Sequence, residues 1–407
     1  MSASAPPNPL QPTTRRPARP GPVRRTLRLA LAVFASFLAF LIGAIMLGAY
    51  IPAIPKAGII GPVLGGQYPF HMALFGLLGL ALGVLVRRWG LVRWGQALAA
   101  VTALSTGAAL GGAVQFTAAQ KEGTDVSFGD IFTQLAYPGV APDASPTYAV
   151  RDGEHLKADI YLPKGARGGT ADKVPAIVLA HAGGFHTFDE SDLRGTGRWL
   201  ADHGIAAIAV DYRLATPDRP TWDKAPQDLV TVLQWVEDHA DRYGIDVDRI
   251  SMGGMSAGGT LAMDTAYRLQ KGTLKATDGR TPKPPASVVG FYPGTGVTDM
   301  WRRDVGGSRE AAELFTGGAP EQYPDRYREV SPTAQVTEGL QRTLLVVGDR
   351  DRSAPPRTVK DLGAALRAKG VDTTVKELPF AEHAFDDAYW SITSQTSRYI
   401  LRDFLTR

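Results

Sequence analysis

Apolar positions change their pattern near residue 120 of this 407-residue chain. Before it they form long runs without charge. Leu29 to Pro55 carries no charged residue over 27 positions, and Leu29–Ile51 is dense in Leu, Ala, Phe and Ile. A helix rising 1.5 Å per residue needs about 20 apolar residues to cross a bilayer core of about 30 Å, so this run predicts a membrane span. A cleaved signal peptide would show an apolar region of only about 7–15 residues and would not be followed by more. Ala57–Val86 is a second uncharged run, most helical from about Tyr68. Arg87, Arg88 and Arg93, with Trp89 and Trp94, follow it as an interfacial belt. His71, near the start of that helix, reads as interfacial. Trp94–Gln120 is the third run, rich in Ala, Gly and Thr. Its small residues suit close helix–helix contact, and a water-exposed Ala-rich helix is its rival reading.

After residue 120 the apolar runs shorten and alternate with amphipathic stretches. Residues 121–145 read as a linker packing onto the domain C-terminal to it. Thr147–Val150 and Leu156–Tyr161 alternate like an antiparallel pair. Ala176–Ala180, Ile205–Val210, Ile250–Gly253, Val288–Tyr292, Leu344–Val347 and Thr374–Leu378 predict buried strands. Asp192–His203, Pro226–Tyr243, Ala257–Leu269, Lys360–Ala368 and Ala388–Leu405 predict helices. Strands alternating with helices predict an α/β fold: a mostly parallel sheet covered on both faces. The chain therefore divides into a Pro- and Arg-rich tail (1–28), a membrane region with three helices (29–120), a linker (121–145) and an α/β domain (146–407).

Charge adds orientation. The net +4 arises from the tail, which has six arginines and no acid, and seven prolines that predict disorder there. No nucleic-acid partner is expected, since no binding motif or aromatic interleaving accompanies those arginines. Only Lys56 follows the first span, whereas three arginines follow the second. The positive-inside rule then places the tail and second loop in the cytoplasm, so three spans put the α/β domain outside and two would put it inside. The absence of cysteine excludes disulfides, thiolate metal sites and a Cys nucleophile.

Candidate chemistry centres on Gly254-Met255-Ser256-Ala257-Gly258, which fits the G-x-S-x-G nucleophile elbow between a strand and a helix. Glycines on either side remove Cβ atoms that would collide in so sharp a turn. A serine hydroxyl needs a base, a group to orient that base, and donors for the oxyanion it creates. His383 is the only histidine downstream of Ser256, in a loop between the last strand and the last helix. Asp349 and Asp351 both follow the strand Leu344–Val347, at the sheet edge where the elbow opens. Gly183 and Gly184 follow the strand Ala176–Ala180; their N–H groups, with that of Ala257 at a helix start, are candidate oxyanion donors.

Residues 146–407 resemble the α/β-hydrolase fold, and within it the hormone-sensitive-lipase-like and carbohydrate-esterase-like serine esterases. His181-Ala182-Gly183-Gly184-Phe185 resembles their H-G-G-G-F loop, with Ala182 in place of the first glycine. Asp211-Tyr212-Arg213-Leu214 resembles D-Y-R-L, Asp246 to Ile250 resembles D-x-x-R-I, and Gly254 to Gly259 matches G-x-S-A-G-G. Glu382-His383-Ala384-Phe385 is similar to the family's histidine motif. In that family the acid falls three residues after the glycine ending its strand, which implies Asp351 after Gly348. The resemblance implies Ser256 as nucleophile, His383 as base and Asp351 as its partner, with Gly183, Gly184 and Ala257 at the oxyanion. It implies Asp211 and Arg213 as scaffold, with Phe185–Asp192 and the insert Gly294–Gln341 shaping the substrate site.

The expected protein is a multi-pass cell-membrane serine hydrolase with an extracytoplasmic catalytic domain. It would cleave small carboxylic esters through an acyl-enzyme, with no metal or organic cofactor. A peptidase or amidase of the same fold, and a non-catalytic binding module, are the alternatives.

Overall fold

The computed structural model describes residues 21–51, 53–54, 56–166 and 173–407. The apolar region forms α1 (Pro22–Tyr50), α2 (Ala57–Gln67), α3 (Pro69–Arg88), α4 (Val92–Ala108) and α5 (Gly111–Lys121). Among the described residues three stretches, Pro22–Tyr50, Pro69–Arg88 and Val92–Lys121, are long and apolar enough to cross a membrane. Two details differ from the sequence reading. The helix begins at Pro22, so the last residues of the expected disordered tail are helical; proline suits the first helical position because its missing N–H has no partner there. Residues 1–20, the rest of that tail, lie outside the described residues. The third stretch is also interrupted at Ala109–Leu110, between α4 and α5, where Gly107, Gly111 and Gly112 weaken helix propensity.

The chain forms two compact units. The first comprises residues up to Gly43 with Leu74–Thr106. Its interior is Ala32, Ala35 and Ala39 of α1 against Val86 and Leu98. α3 and α4 approach so closely that a Cβ on Gly95 would lie 2.5 Å from the Gly83 carbonyl oxygen. Small residues thus set this packing.

The second unit comprises Ala44–Ala73 and Gly107–Arg407. After α5 the expected linker carries the short α6 (Phe128–Thr133). It is tied to the domain at Ser127, whose N–H donates to Gln395 Oε1 at 2.8 Å. Then come β1 (Thr147–Arg151), β2 (Glu154–Tyr161), β3 (Val174–Ala180), α7 (Arg194–Asp202), β4 (Ala206–Val210), α8 (Lys224–Tyr243), β5 (Ile245–Met255), α9 (Ala257–Gln270) and β6 (Ser287–Phe291). The insert folds as three short helices, α10 (Val297–Arg303), α11 (Ser308–Thr316) and α12 (Pro324–Glu329). β7 (Arg342–Gly348), α13 (Pro356–Ala368), β8 (Thr373–Leu378) and α14 (Ile392–Leu405) complete the domain.

The eight strands lie in the order β1-β2-β4-β3-β5-β6-β7-β8. β2 pairs antiparallel with β1 and β4, and all other pairs are parallel. Asp152-Gly153, both at positive φ, make the tight turn joining β1 to β2. The central strands are buried along their length because helices cover both faces. Side-chain alternation divides the core accordingly. Val178, Ile208 and Met252 face α8 and α9 through Leu229, Val232 and Leu261. Ile177, Leu179 and Ala207 face α7 and α14 through Leu200 and Leu401. Helix α14 starts at Ile392 rather than Ala388, because the Ser391 side chain caps it by accepting from the Ser394 N–H.

Candidate active site

The topology brings the chemistry to one edge. β3 lies beside β5, with Ala180 opposite Gly254, so the loop after β3 and the turn after β5 emerge as neighbours. β7 and β8 sit two and three places further along and end on the same side. That edge, where strand order reverses, is where open α/β sheets place ligand sites.

Ser256 occupies the turn at φ 52 and ψ −117, a region costing a non-glycine residue roughly 1–3 kcal/mol. Its own N–H is held by the Phe291 carbonyl at 2.9 Å. The flanking glycines are sterically required. A Cβ on Gly258 would lie 2.2 Å from the Ala180 carbonyl oxygen, and one on Gly254 would lie 2.6 Å from that same atom. Gly258→Val is therefore expected to destabilise the domain by more than about 4 kcal/mol, read by chemical denaturation of the full chain in detergent. Unchanged unfolding would mean that the turn has slack that the structure does not show.

The Ser256 hydroxyl lies 2.8 Å from His383 Nε2. His383 Nδ1 lies 2.9 Å from Asp351 Oδ2. The other oxygen of Asp351, a buried residue, accepts from the Ala354 N–H at 2.7 Å, which fixes the carboxylate. Burial alone would lower the His383 pKa, but the facing Asp351 carboxylate, with Glu382 and Asp386 nearby, outweighs it and leaves the imidazole above its ordinary value. Asp349, the rival acid, makes no such contact. It stands 3.6 Å from Arg350 Nε, and burial raises its pKa.

Residues 158–366, just over half of the chain, match the family described as BD-FAE. The chain belongs to the BD-FAE family. It is 28% identical over 201 residues to the esterase LipC of Mycobacterium tuberculosis, a match covering 46% of this chain and 47% of LipC. The chain thus spans less than half the length of that relative. Among solved structures it is similar to the native esterase Est2 of Thermogutta terrifontis, at 24% identity and a TM-score of 0.54 over 67% of this chain and 95% of that one. It is also similar to the esterase LipW of Mycobacterium marinum, at 25% identity and a TM-score of 0.53 over 72% and 86% of the two chains. The α/β-hydrolase resemblance read from the motifs holds on both counts.

In this BD-FAE chain a cleft of about 430 Å³ opens over Ser256 and His383 and is lined by Gly183 and Gly184. Gly183 adopts φ 111, and a Cβ there would lie 2.0 Å from the Thr187 carbonyl oxygen. Ala257 is the first residue of α9, whose leading N–H groups have no partner inside the helix. The far wall comes from the insert, through Met300, Val305, Glu310 and Ala311. His186 lines the cleft with Nδ1 2.9 Å from the Gly184 carbonyl oxygen. Asp211 and Arg213 lie outside it. Asp211 accepts from the N–H groups of Glu190 and Lys157, and Arg213 forks onto the buried Asp228 at 2.8–3.1 Å.

Several contributors carried no sequence signal. The Tyr292 ring lies edge-on to the His383 ring at 4.6 Å, and its hydroxyl donates to Asp386. Burial, then the nearby Asp386 and Asp387 carboxylates, raises the Tyr292 pKa well above its usual value, keeping the phenol neutral. Glu382 bridges the loops that carry Asp351 and His383: it accepts from the Arg352 N–H at 2.8 Å and from its guanidinium at 3.0 Å. Only its place beside His383 in the motif hinted at this.

Proposed function

We propose that this protein is a membrane-anchored serine hydrolase that cleaves small carboxylic esters. The observation that carries the reading is the unbroken chain from Ser256 Oγ to His383 to Asp351, at 2.8 and 2.9 Å. Ser256 attacks the ester carbonyl carbon while His383 Nε2 takes the hydroxyl proton. Asp351 holds the imidazole in the tautomer with its proton on Nδ1 and stabilises the imidazolium. The N–H groups of Gly183, Gly184 and Ala257 receive the oxyanion. His383 returns its proton to the departing alkoxide, leaving an acyl-serine. Water attacks that acyl group, again with His383 as base, and releases the acid and free Ser256. No cofactor takes part.

The names of the relatives support ester over amide cleavage, since LipC and LipW are both called esterases. The three apolar stretches support anchorage, and the arginine distribution supports an extracytoplasmic domain. The full chain in detergent micelles should hydrolyse p-nitrophenyl acetate and leave peptide p-nitroanilides intact. The reverse selectivity would favour the peptidase reading. Protease added to intact cells should cut the hydrolase domain; full protection would place it in the cytoplasm.

A further inference from the structure

The loop that carries His383 is held on two sides. On one side the Arg350 N–H donates to the Ala381 carbonyl at 2.9 Å, and Glu382 grips Arg352. On the other side stand elements that precede the hydrolase domain in sequence. Gln115 of α5 is buried, with 2% exposure, and its amide spends both N–H bonds on backbone carbonyls: Gly66 at 2.8 Å and Pro379 at 3.2 Å. Gln67, at the end of α2 and also buried, donates to the Ala384 carbonyl at 3.2 Å. These two bonds bracket His383, one at each end of the loop. Between them Phe380 is caught by the Tyr50 ring, edge-on at 5.2 Å. A Cβ on Gly66 would lie 2.0 Å from the Phe380 carbonyl oxygen, so only glycine admits this approach.

The grip falls where the backbone needs it. Phe380 and Ala384 both sit at positive φ, 54 and 55, on either side of His383. Neither is glycine, and such conformations persist only where surroundings over-determine them. A buried glutamine amide inside an apolar helix bundle is itself unfavourable unless its hydrogen bonds are made. Here the two N–H bonds of Gln115 are made, one to Gly66 of α2 and one to Pro379 of the histidine loop.

We propose that α2 and α5 position the active site: Gln115 and Gln67 lock the Pro379–Ala384 backbone so that His383 meets both Ser256 and Asp351. The membrane-proximal helices are then required for turnover and do more than fix location. This rests on the serine-hydrolase reading of the Ser256 site.

The test uses the full chain in detergent micelles with Gln115→Leu, Gln67→Leu and the pair. A displacement of about 1 Å at a reacting group costs about 100-fold, so the double variant should lose about that factor in kcat on p-nitrophenyl acetate, with KM unchanged. Fluorophosphonate labelling of Ser256 should slow in parallel. The acid limb of the kcat/KM profile should also move, because the His383–Asp351 contact sets it. Near-UV circular dichroism and thermal unfolding report whether the domain stays folded. Tyr50→Leu, which removes the ring against Phe380 and leaves both glutamines, is the milder variant if the pair unfolds; it should lower kcat in the same direction. Wild-type kcat and pH profile in the folded variants overturn the proposal, as does a loss that only tracks unfolded protein. Ser256→Ala in the same preparation separates the two readings: if it stays active, the hydrolase assignment itself fails.

Discussion

Ser256→Ala is expected to lower kcat on p-nitrophenyl acetate by about 10⁶-fold, about 8 kcal/mol of transition-state stabilisation, in the full chain in detergent. The size follows from the geometry. Ser256 carries the only hydroxyl in Gly254-Met255-Ser256-Ala257-Gly258, and His383 Nε2 lies within 2.8 Å to receive its proton. Alanine tolerates the same φ of 52 no worse than serine, so the turn and the fold should survive. The variant should also lose any pre-steady-state burst, while the oxyanion donors leave a small residual rate above background. Loss of activity together with loss of the near-UV spectrum would point instead to a structural role for this serine.

The second large effect concerns the acid. Asp351→Asn should reduce kcat by about 10⁴-fold, because an amide at that position stabilises the wrong imidazole tautomer. Asp349→Asn should leave kcat near wild type. The pH profile distinguishes them further. His383 must be neutral to act as base, so activity is lost as pH falls through its pKa. Asp351 raises that pKa against the lowering effect of burial, so the wild-type acid limb should stand above the ordinary histidine value. Removing the carboxylate leaves burial opposed only by the weaker fields of Glu382 and Asp386, and the remaining activity of Asp351→Asn should titrate at lower pH. A limb that stays in place, or a large loss with Asp349→Asn, would reverse the assignment of the acid.

Much of this was legible because it is local. The elbow is a five-residue steric solution, and the clashes at Gly254 and Gly258 are the reason its spacing is readable. His383 was legible as the one histidine after Ser256. Asp349 and Asp351 both follow β7, and composition does not separate them; only the family resemblance selects Asp351. Their difference lies in the turn, which directs Asp351 to His383 and Asp349 to Arg350. The hidden contributors depend on residues far apart in sequence. Tyr292 against His383 and above all Gln115 on Pro379 are long-range contacts without a motif, and Glu382, though within the histidine motif, reaches an Arg352 that the motif does not include. The short α2 has no sequence signature because Gly61, Pro62, Gly65 and Gly66 deny it helical character by propensity; packing supplies what propensity lacks. The insert is expected to shape the substrate site, but its three helices span only six to nine residues each, so their placement comes from the fold.

The central claim is that Ser256 is the activated nucleophile. The full chain should be treated with a fluorophosphonate, digested, and the adduct located by mass spectrometry. A single adduct on Ser256, abolished by Ser256→Ala and strongly slowed by His383→Ala, is the predicted result. An adduct on another residue, or an unlabelled Ser256 in protein that still hydrolyses esters, would contradict it.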